Sequence, residues 1–176
     1  HGFKTRIHKQ HAVGPVTYMY LAGSVNGRQD WEQMKKRYDP ADLRRFPKNW
    51  GEELLASCRT ASTTISIHLQ SGPGRAIKNG YMMGLERFFE VIYEDPALVH
   101  DMFAFWAEFT IELYRNVVGK TPVDYVFVNE DGLAYRNSSL VSPQMYREFW
   151  FPYTRKVTDF LRSHGIDVIG FYTSGN

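Results

Sequence analysis

Two apolar runs near the end of the chain constrain its fold more than any other feature. Residues 125–131 are Tyr-Val-Phe-Val-Asn-Glu-Asp, and residues 167–176 are Asp-Val-Ile-Gly-Phe-Tyr-Thr-Ser-Gly-Asn. Each pattern predicts a buried parallel strand with polar groups at its carboxyl end. A helical segment that starts at Ser142-Pro143 lies between the two runs and is long enough for a crossover, so together they predict a β-α-β unit. In such units, ligands and chemistry collect where the strands end.

Strand and helix patterns alternate through the rest of the chain as well. Alternating polar and apolar residues predict a β-hairpin or ribbon over residues 3–25. Asp30 is predicted to cap a short surface helix. A helix predicted over residues 50–61 is followed by a β-branched stretch, residues 63–69, which favours a strand. With the long helix predicted over residues 95–118, this order indicates an α/β fold with a parallel sheet.

The later helices carry clear start and stop signals. Asp95 is expected to cap the long helix, with Pro96 at its first position and Gly119 just past its end. Pro152 is expected to kink or divide the helix that starts at Ser142-Pro143. The apolar residues of the long helix follow the helical period, which predicts core packing for Leu98, Met102, Trp106, Phe109, Leu113 and Val117.

The chain is shorter than a complete barrel domain. Its 176 residues suffice for one domain. A closed (β/α)8 barrel typically needs about 250 residues. The sequence also has no initiator Met and stops at the end of a predicted strand. We therefore expect residues 1–176 to form a single domain that is a piece of a longer polypeptide.

Composition and charge are those of an ordinary soluble globular protein. Hydrophobic residues make up 43% of the chain and the formal net charge is only +2, with the basic residues scattered. This balance argues against a nucleic-acid partner. No apolar run is long enough to span a membrane, which argues against a membrane protein. Cys58 is the only cysteine, which excludes an internal disulfide and is consistent with cytoplasmic localisation.

A series of short motifs follows a fixed order along the chain. They are Asp30-Trp31-Glu32, Met83-Gly84-x-Glu86, Asp95-Pro96, Glu130-Asp131, Leu140-x-Ser142-Pro143-x-x-Tyr146-x-x-Phe149-x-x-Pro152-Tyr153 and Gly175-Asn176. Their order and spacing resemble the uroporphyrinogen decarboxylase superfamily, which contains porphyrinogen decarboxylases and corrinoid-linked methyltransferases. Both groups are built on (β/α)8 barrels. The resemblance therefore implies a (β/α)8 TIM barrel, present here as an incomplete portion with an N-terminal β-ribbon.

Four residues are candidates for catalysis. Glu130 and Asp131 are adjacent at a strand end, so only one of the two carboxylates is expected to face the barrel axis. There it would exchange protons with a substrate or orient a pyrrole N–H. Tyr81 is the nearest match to an active-site tyrosine that follows a Gly-x-Pro loop in the family, and Tyr172 ends the second strand. The alternatives are loop solvation for the carboxylates and packing for the tyrosines.

The resemblance implies decarboxylation of a porphyrinogen or a similar small molecule with several carboxylates. This chemistry needs cationic groups for the substrate carboxylates, and Arg75 and Arg136 lie on loops suited to that role. Asn176 is a further candidate for substrate binding. No cofactor is expected. The family's essential aspartate would precede this chain. Decarboxylases of the family are commonly homodimers, so a homodimer is one assembly that the resemblance implies.

Two other functions stay open. The methyltransferase branch binds zinc through a His-x-Cys-Gly motif at the strand end that corresponds to residues 172–175, and it exchanges methyl groups with a corrinoid protein. Tyr172 and Ser174 stand at both ligand positions here. Neither residue replaces imidazole or thiolate well, so zinc or corrinoid is expected only under this alternative. The third possibility is a non-catalytic barrel that binds a tetrapyrrole.

Overall fold

The computed structural model describes most of the chain. The described residues are 4–7, 18–46, 48–60, 64–69, 82–130, 133–135 and 138–173. The helices are α1 (Arg28–Lys35), α2 (Trp50–Thr60), α3 (Leu85–Glu94), α4 (Pro96–Arg115), α5 (Pro143–Met145) and α6 (Phe151–Arg162). The strands are β1 (Lys4–Ile7), β2 (Tyr18–Ala22), β3 (Ser66–Leu69), β4 (Tyr125–Asn129), β5 (Ala134–Tyr135), β6 (Ser138–Ser139) and β7 (Val168–Tyr172). A 3-10 turn spans Leu43–Arg45.

A parallel sheet of three strands positions the carboxyl ends of the predicted strands. Its order is β3-β4-β7, and β4 pairs with β7 from the Tyr125–Val168 pair to the Asn129–Tyr172 pair. The helical segment from α5 to α6 connects β4 to β7. The predicted β-α-β unit and the α/β class are therefore confirmed.

The two faces of this sheet have different surroundings. Val126 and Val128 of β4 are buried in a cluster with residues of α4 and α6, and Ile169 of β7 packs against the same cluster. We call this the helix-covered face. Strand residues alternate between faces, so Phe127 and Tyr172 lie on the opposite face. Neither belongs to a buried cluster of the described residues, and we call this the open face.

The N-terminal ribbon is confirmed, since β1 and β2 pair in antiparallel register.

The chain leaves β2 along the loop that precedes α3. The backbone N–H of Gly23 donates to the Met83 carbonyl oxygen at 3.2 Å, and that of Val25 donates to the Met82 carbonyl oxygen at 2.8 Å. A Cβ atom on Gly23 would lie 1.9 Å from the Met82 carbonyl oxygen. Glycine is therefore required for the two backbones to approach this closely.

The predicted start of the long helix is confirmed in α4. The Asp95 carboxylate accepts a hydrogen bond from the Leu98 backbone N–H at 3.0 Å, and Pro96 occupies the first turn. The helix ends at Arg115, three residues before the predicted end. A tighter turn follows the helix. In it the backbone N–H groups of Val117 and Val118 both donate to the Tyr114 carbonyl oxygen, each at 2.8 Å.

Replacement of Asp95 by alanine is expected to lower the free energy of unfolding by about 1 kcal/mol, because the first turn of α4 loses its cap. Asp95 also forms an ion pair with Arg28 at 2.9 Å, but both side chains are largely exposed, so this pair adds little. Asp95→Asn keeps the cap and loses the charge, which makes it the matched control. Urea unfolding should place it close to the wild type; equal losses in both variants would assign the stability to the ion pair.

Pro152 divides its helix, as predicted. α5 begins after Ser142, whose hydroxyl accepts from the Met145 backbone N–H at 3.1 Å. A π-helical turn, Tyr146–Trp150, then joins α5 to α6, and the backbone N–H of Phe151 donates to the Tyr146 carbonyl oxygen. Proline has no N–H and its ring displaces the preceding carbonyl, so the ordinary helical bonding cannot continue through this turn.

The remaining predictions on local structure are confirmed in part. α2 matches the helix predicted over residues 50–61, and β3 matches the strand predicted over residues 63–69, although it begins at Ser66. The prediction that Asp30 caps α1 is wrong. The helix begins at Arg28, and the Asp30 carboxylate instead accepts from the Asn26 backbone N–H at 2.9 Å. None of the described helices combines the length and the apolar character needed to cross a membrane.

Candidate active site at the carboxyl edge of the sheet

The ends of β4 and β7 meet at one edge of the parallel sheet. Asn129 is the register partner of Tyr172. One residue further along, the backbone N–H of Glu130 donates to the Tyr172 carbonyl oxygen at 2.9 Å. The structure therefore brings together Glu130 and Tyr172, two residues that the sequence predicted as catalytic.

The Glu130 side chain is buried at this edge, with only 4% of the residue exposed. Residues 126, 128 and 130 alternate in burial with their neighbours, which places Glu130 in line with the helix-covered face. The π-helical turn carries Tyr146, whose phenol is affected by the Glu130 charge. Burial raises the pKa of the Tyr146 phenol, and the negative charge of Glu130 raises this pKa further. The ionised form of the Tyr146 phenol is therefore disfavoured at this edge.

The open face carries an aromatic pair next to the strand ends. The ring centroids of Phe127 and Tyr172 are 6.3 Å apart, and the rings are tilted by 41°. Tyr172 is 46% exposed. A phenol with this exposure is able to contact a ligand that lies over the open face, and its ring is a neighbour of the Phe127 ring on that face.

The other predicted site residues fall outside the part of the chain that the structure describes. They are Asp131, Tyr81, Arg75, Arg136 and Asn176. Their assignments stay predictions.

Three residues of this edge were not singled out by the sequence analysis. Tyr146 was seen only as part of a family motif, and Phe127 and Gly170 only as strand residues. Gly170 did carry a signal, because a glycine inside a strand pattern often marks a close approach of a ligand or of another chain segment. The position of Tyr146 depends on the π-helical turn and has no equivalent local signal.

Within the described residues, no group of three or more His, Cys, Asp or Glu side chains is arranged to hold a metal ion. Tyr172 stands at one zinc-ligand position of the methyltransferase branch, and Ser174 lies outside the described residues. A neutral phenol is a weak zinc ligand, so the one described position does not fit that site.

Comparison with known proteins identifies the family. A sequence model of the family described as Uroporphyrinogen decarboxylase (URO-D) matches residues 76–176, more than half of the chain. No curated protein and no solved structure matches the chain. The matched segment includes β4, β7 and the helices between them, and hence the edge at which Glu130 and Tyr172 meet. The chain therefore belongs to the uroporphyrinogen decarboxylase superfamily.

Proposed function

We propose that this protein is a carbon-carbon lyase that removes carboxylate from a porphyrinogen or a similar substrate with several carboxylates. The observation that carries this proposal is the meeting of β4 and β7 at one sheet edge, where Glu130 is buried and Asp131 follows it directly. Family membership supports an enzyme of this superfamily. In parallel α/β folds, residues at the carboxyl ends of strands are those that perform chemistry.

The proposed architecture is part of a (β/α)8 barrel. A parallel sheet with helices on one face is consistent with such a barrel, whose helices form an outer ring. The open face would then be the barrel interior. On this proposal Tyr172 and Asp131 face the substrate, whereas Glu130 supports the edge from the helix-covered side.

The proposed reaction replaces a carboxylate by hydrogen on a carbon attached to a pyrrole ring. Protonation of the ring first provides a sink for electrons. The bond to the carboxylate carbon then breaks and carbon dioxide leaves. The electron pair of the broken bond enters the ring. A proton finally adds to the exposed methylene carbon while the ring returns its first proton, so that one proton is consumed overall. No electrons are gained or lost, and an organic cofactor is not required.

Roles for the protein groups follow from this balance. We assign the ring proton transfer to Asp131, since a positioned carboxylate is an effective general acid and base. Arg75, Arg136 and Asn176 would bind the substrate carboxylates that do not react, because arginine holds carboxylates through paired hydrogen bonds. Tyr81 would lie at the same site.

The proposal is tested by measuring carbon dioxide release from uroporphyrinogen by the full-length protein, together with its metal and corrinoid content. We expect release without added metal. Stoichiometric zinc and corrinoid affinity without carbon dioxide release would instead favour methyl transfer. Saturable tetrapyrrole binding without any turnover would leave a binding protein. Either of these two results would overturn the lyase.

A further inference from the structure

A glycine in the middle of a strand lies under an aromatic ring on the open face. Gly170 of β7 is the register partner of Phe127 of β4. A Cβ atom on Gly170 would lie 3.0 Å from Cδ2 and 3.1 Å from Cε2 of the Phe127 ring. The ring edge therefore occupies the space that any larger residue at position 170 would need.

Glycine destabilises a strand, so its presence at position 170 needs a structural explanation. In a strand interior it costs about 0.5–1 kcal/mol relative to alanine. Phe127 recovers part of this loss because an aromatic ring that covers a cross-strand glycine restores contacts. The contact between Gly170 and Phe127 also affects the shape of the open face. The Phe127 ring lies over Gly170 on the open face, with its centroid 6.3 Å from that of the Tyr172 ring.

We propose that Gly170 determines substrate specificity by keeping the Phe127 ring low on the open face. This inference rests on the proposed function, which places the substrate over that face. The Phe127 ring gives this face an apolar patch, and the half-exposed Tyr172 ring lies beside it. Such a surface suits the face of a substrate ring, whereas the carboxylates are held elsewhere. A larger residue at position 170 lifts the Phe127 ring into the space that the substrate ring needs.

The test compares Gly170→Val with a variant in which the displaced ring is removed. We expect Gly170→Val to weaken uroporphyrin binding, measured by porphyrin fluorescence, by about 10-fold or more, since small steric changes in a pocket have effects of this size. KM for uroporphyrinogen should rise to a similar extent, with a smaller change in kcat. Gly170→Val combined with Phe127→Ala should restore most of the affinity, because the ring is no longer there to be lifted.

A control variant on the same strand distinguishes a change in the shape of the open face from a general loss of folding. Ile169→Val changes the neighbouring residue on the helix-covered face, and its binding should equal that of the wild type. Thermal unfolding shows whether each variant is folded. Wild-type affinity in Gly170→Val, or no recovery in the double variant despite a normal unfolding temperature, would overturn the inference. Intact porphyrin binding with the expected Gly170→Val defect, but no carbon dioxide release by the wild type, would refute the lyase alone.

Discussion

Replacement of Asp131 by asparagine is expected to lower kcat for carbon dioxide release about 100-fold or more, since a positioned general acid or base contributes at least this factor. Asparagine has nearly the same shape and can still form hydrogen bonds, but it cannot exchange a proton at neutral pH. The free energy of unfolding should change by at most about 0.5 kcal/mol, because the shape of the side chain is kept. Steady-state kinetics and urea unfolding of the same preparation provide both numbers.

Glu130→Gln is the matched control, because it removes the adjacent carboxylate with equally small change in shape. We expect a loss of kcat below about 10-fold if Glu130 acts only by supporting the edge. This variant has a second readout. Loss of the Glu130 charge should lower the pKa of Tyr146 toward that of an ordinary phenol, since that charge is one of the two causes of its rise. Ultraviolet absorbance titration measures this, with Tyr146→Phe identifying the transition.

The comparison of the two variants assigns the catalytic carboxylate. A large loss of kcat in Glu130→Gln, with kcat of Asp131→Asn unchanged, would make Glu130 the catalytic carboxylate and Asp131 the supporting one. A large loss of kcat in both variants would indicate two coupled carboxyl groups that share a proton. Unchanged turnover in both variants would remove this strand end from the chemistry.

Features that depend on neighbouring residues were predictable from the sequence. The cap at Asp95 and the start after Ser142 involve bonds between residues three positions apart, and both are present. The divided helix at Pro152 follows from one missing N–H group. Asp30 shows the limit of such reasoning. It has the composition of a cap, but its carboxylate bonds a backbone N–H that precedes the helix.

Features that depend on packing between distant segments were not predictable. The strand ends at Glu130 and Tyr172 were identified separately, and their contact follows from the register of β4 and β7, which no local pattern encodes. The same holds for Phe127 over Gly170 and for Tyr146 near Glu130. The sequence indicated the edge of the sheet that carries the site. It did not reveal which side chains at this edge share a face.

A large effect on stability is expected at Trp150, in the cluster beneath the π-helical turn. This side chain is fully buried, and its ring centroid lies 5.6 Å from that of Phe88 and 5.1 Å from that of Phe103. Tyr146 stacks on it at 6.4 Å. Trp150→Ala should lower the free energy of unfolding by about 3–5 kcal/mol, a large part of the stability of a typical domain. Urea unfolding measures the loss.

Two further substitutions distinguish the ring of Trp150 from its N–H group. Among the described residues, no acceptor bonds the buried Nε1 of Trp150, whereas Nε1 of Trp31 donates to an Asp101 carboxylate oxygen at 2.6 Å. Phenylalanine removes a similar volume at both positions. Trp31→Phe also loses a hydrogen bond to a charged group, worth about 1.5–3 kcal/mol, so it should be the more destabilising of the two. Equal losses in the two variants would show that the Trp31–Asp101 hydrogen bond adds no stability.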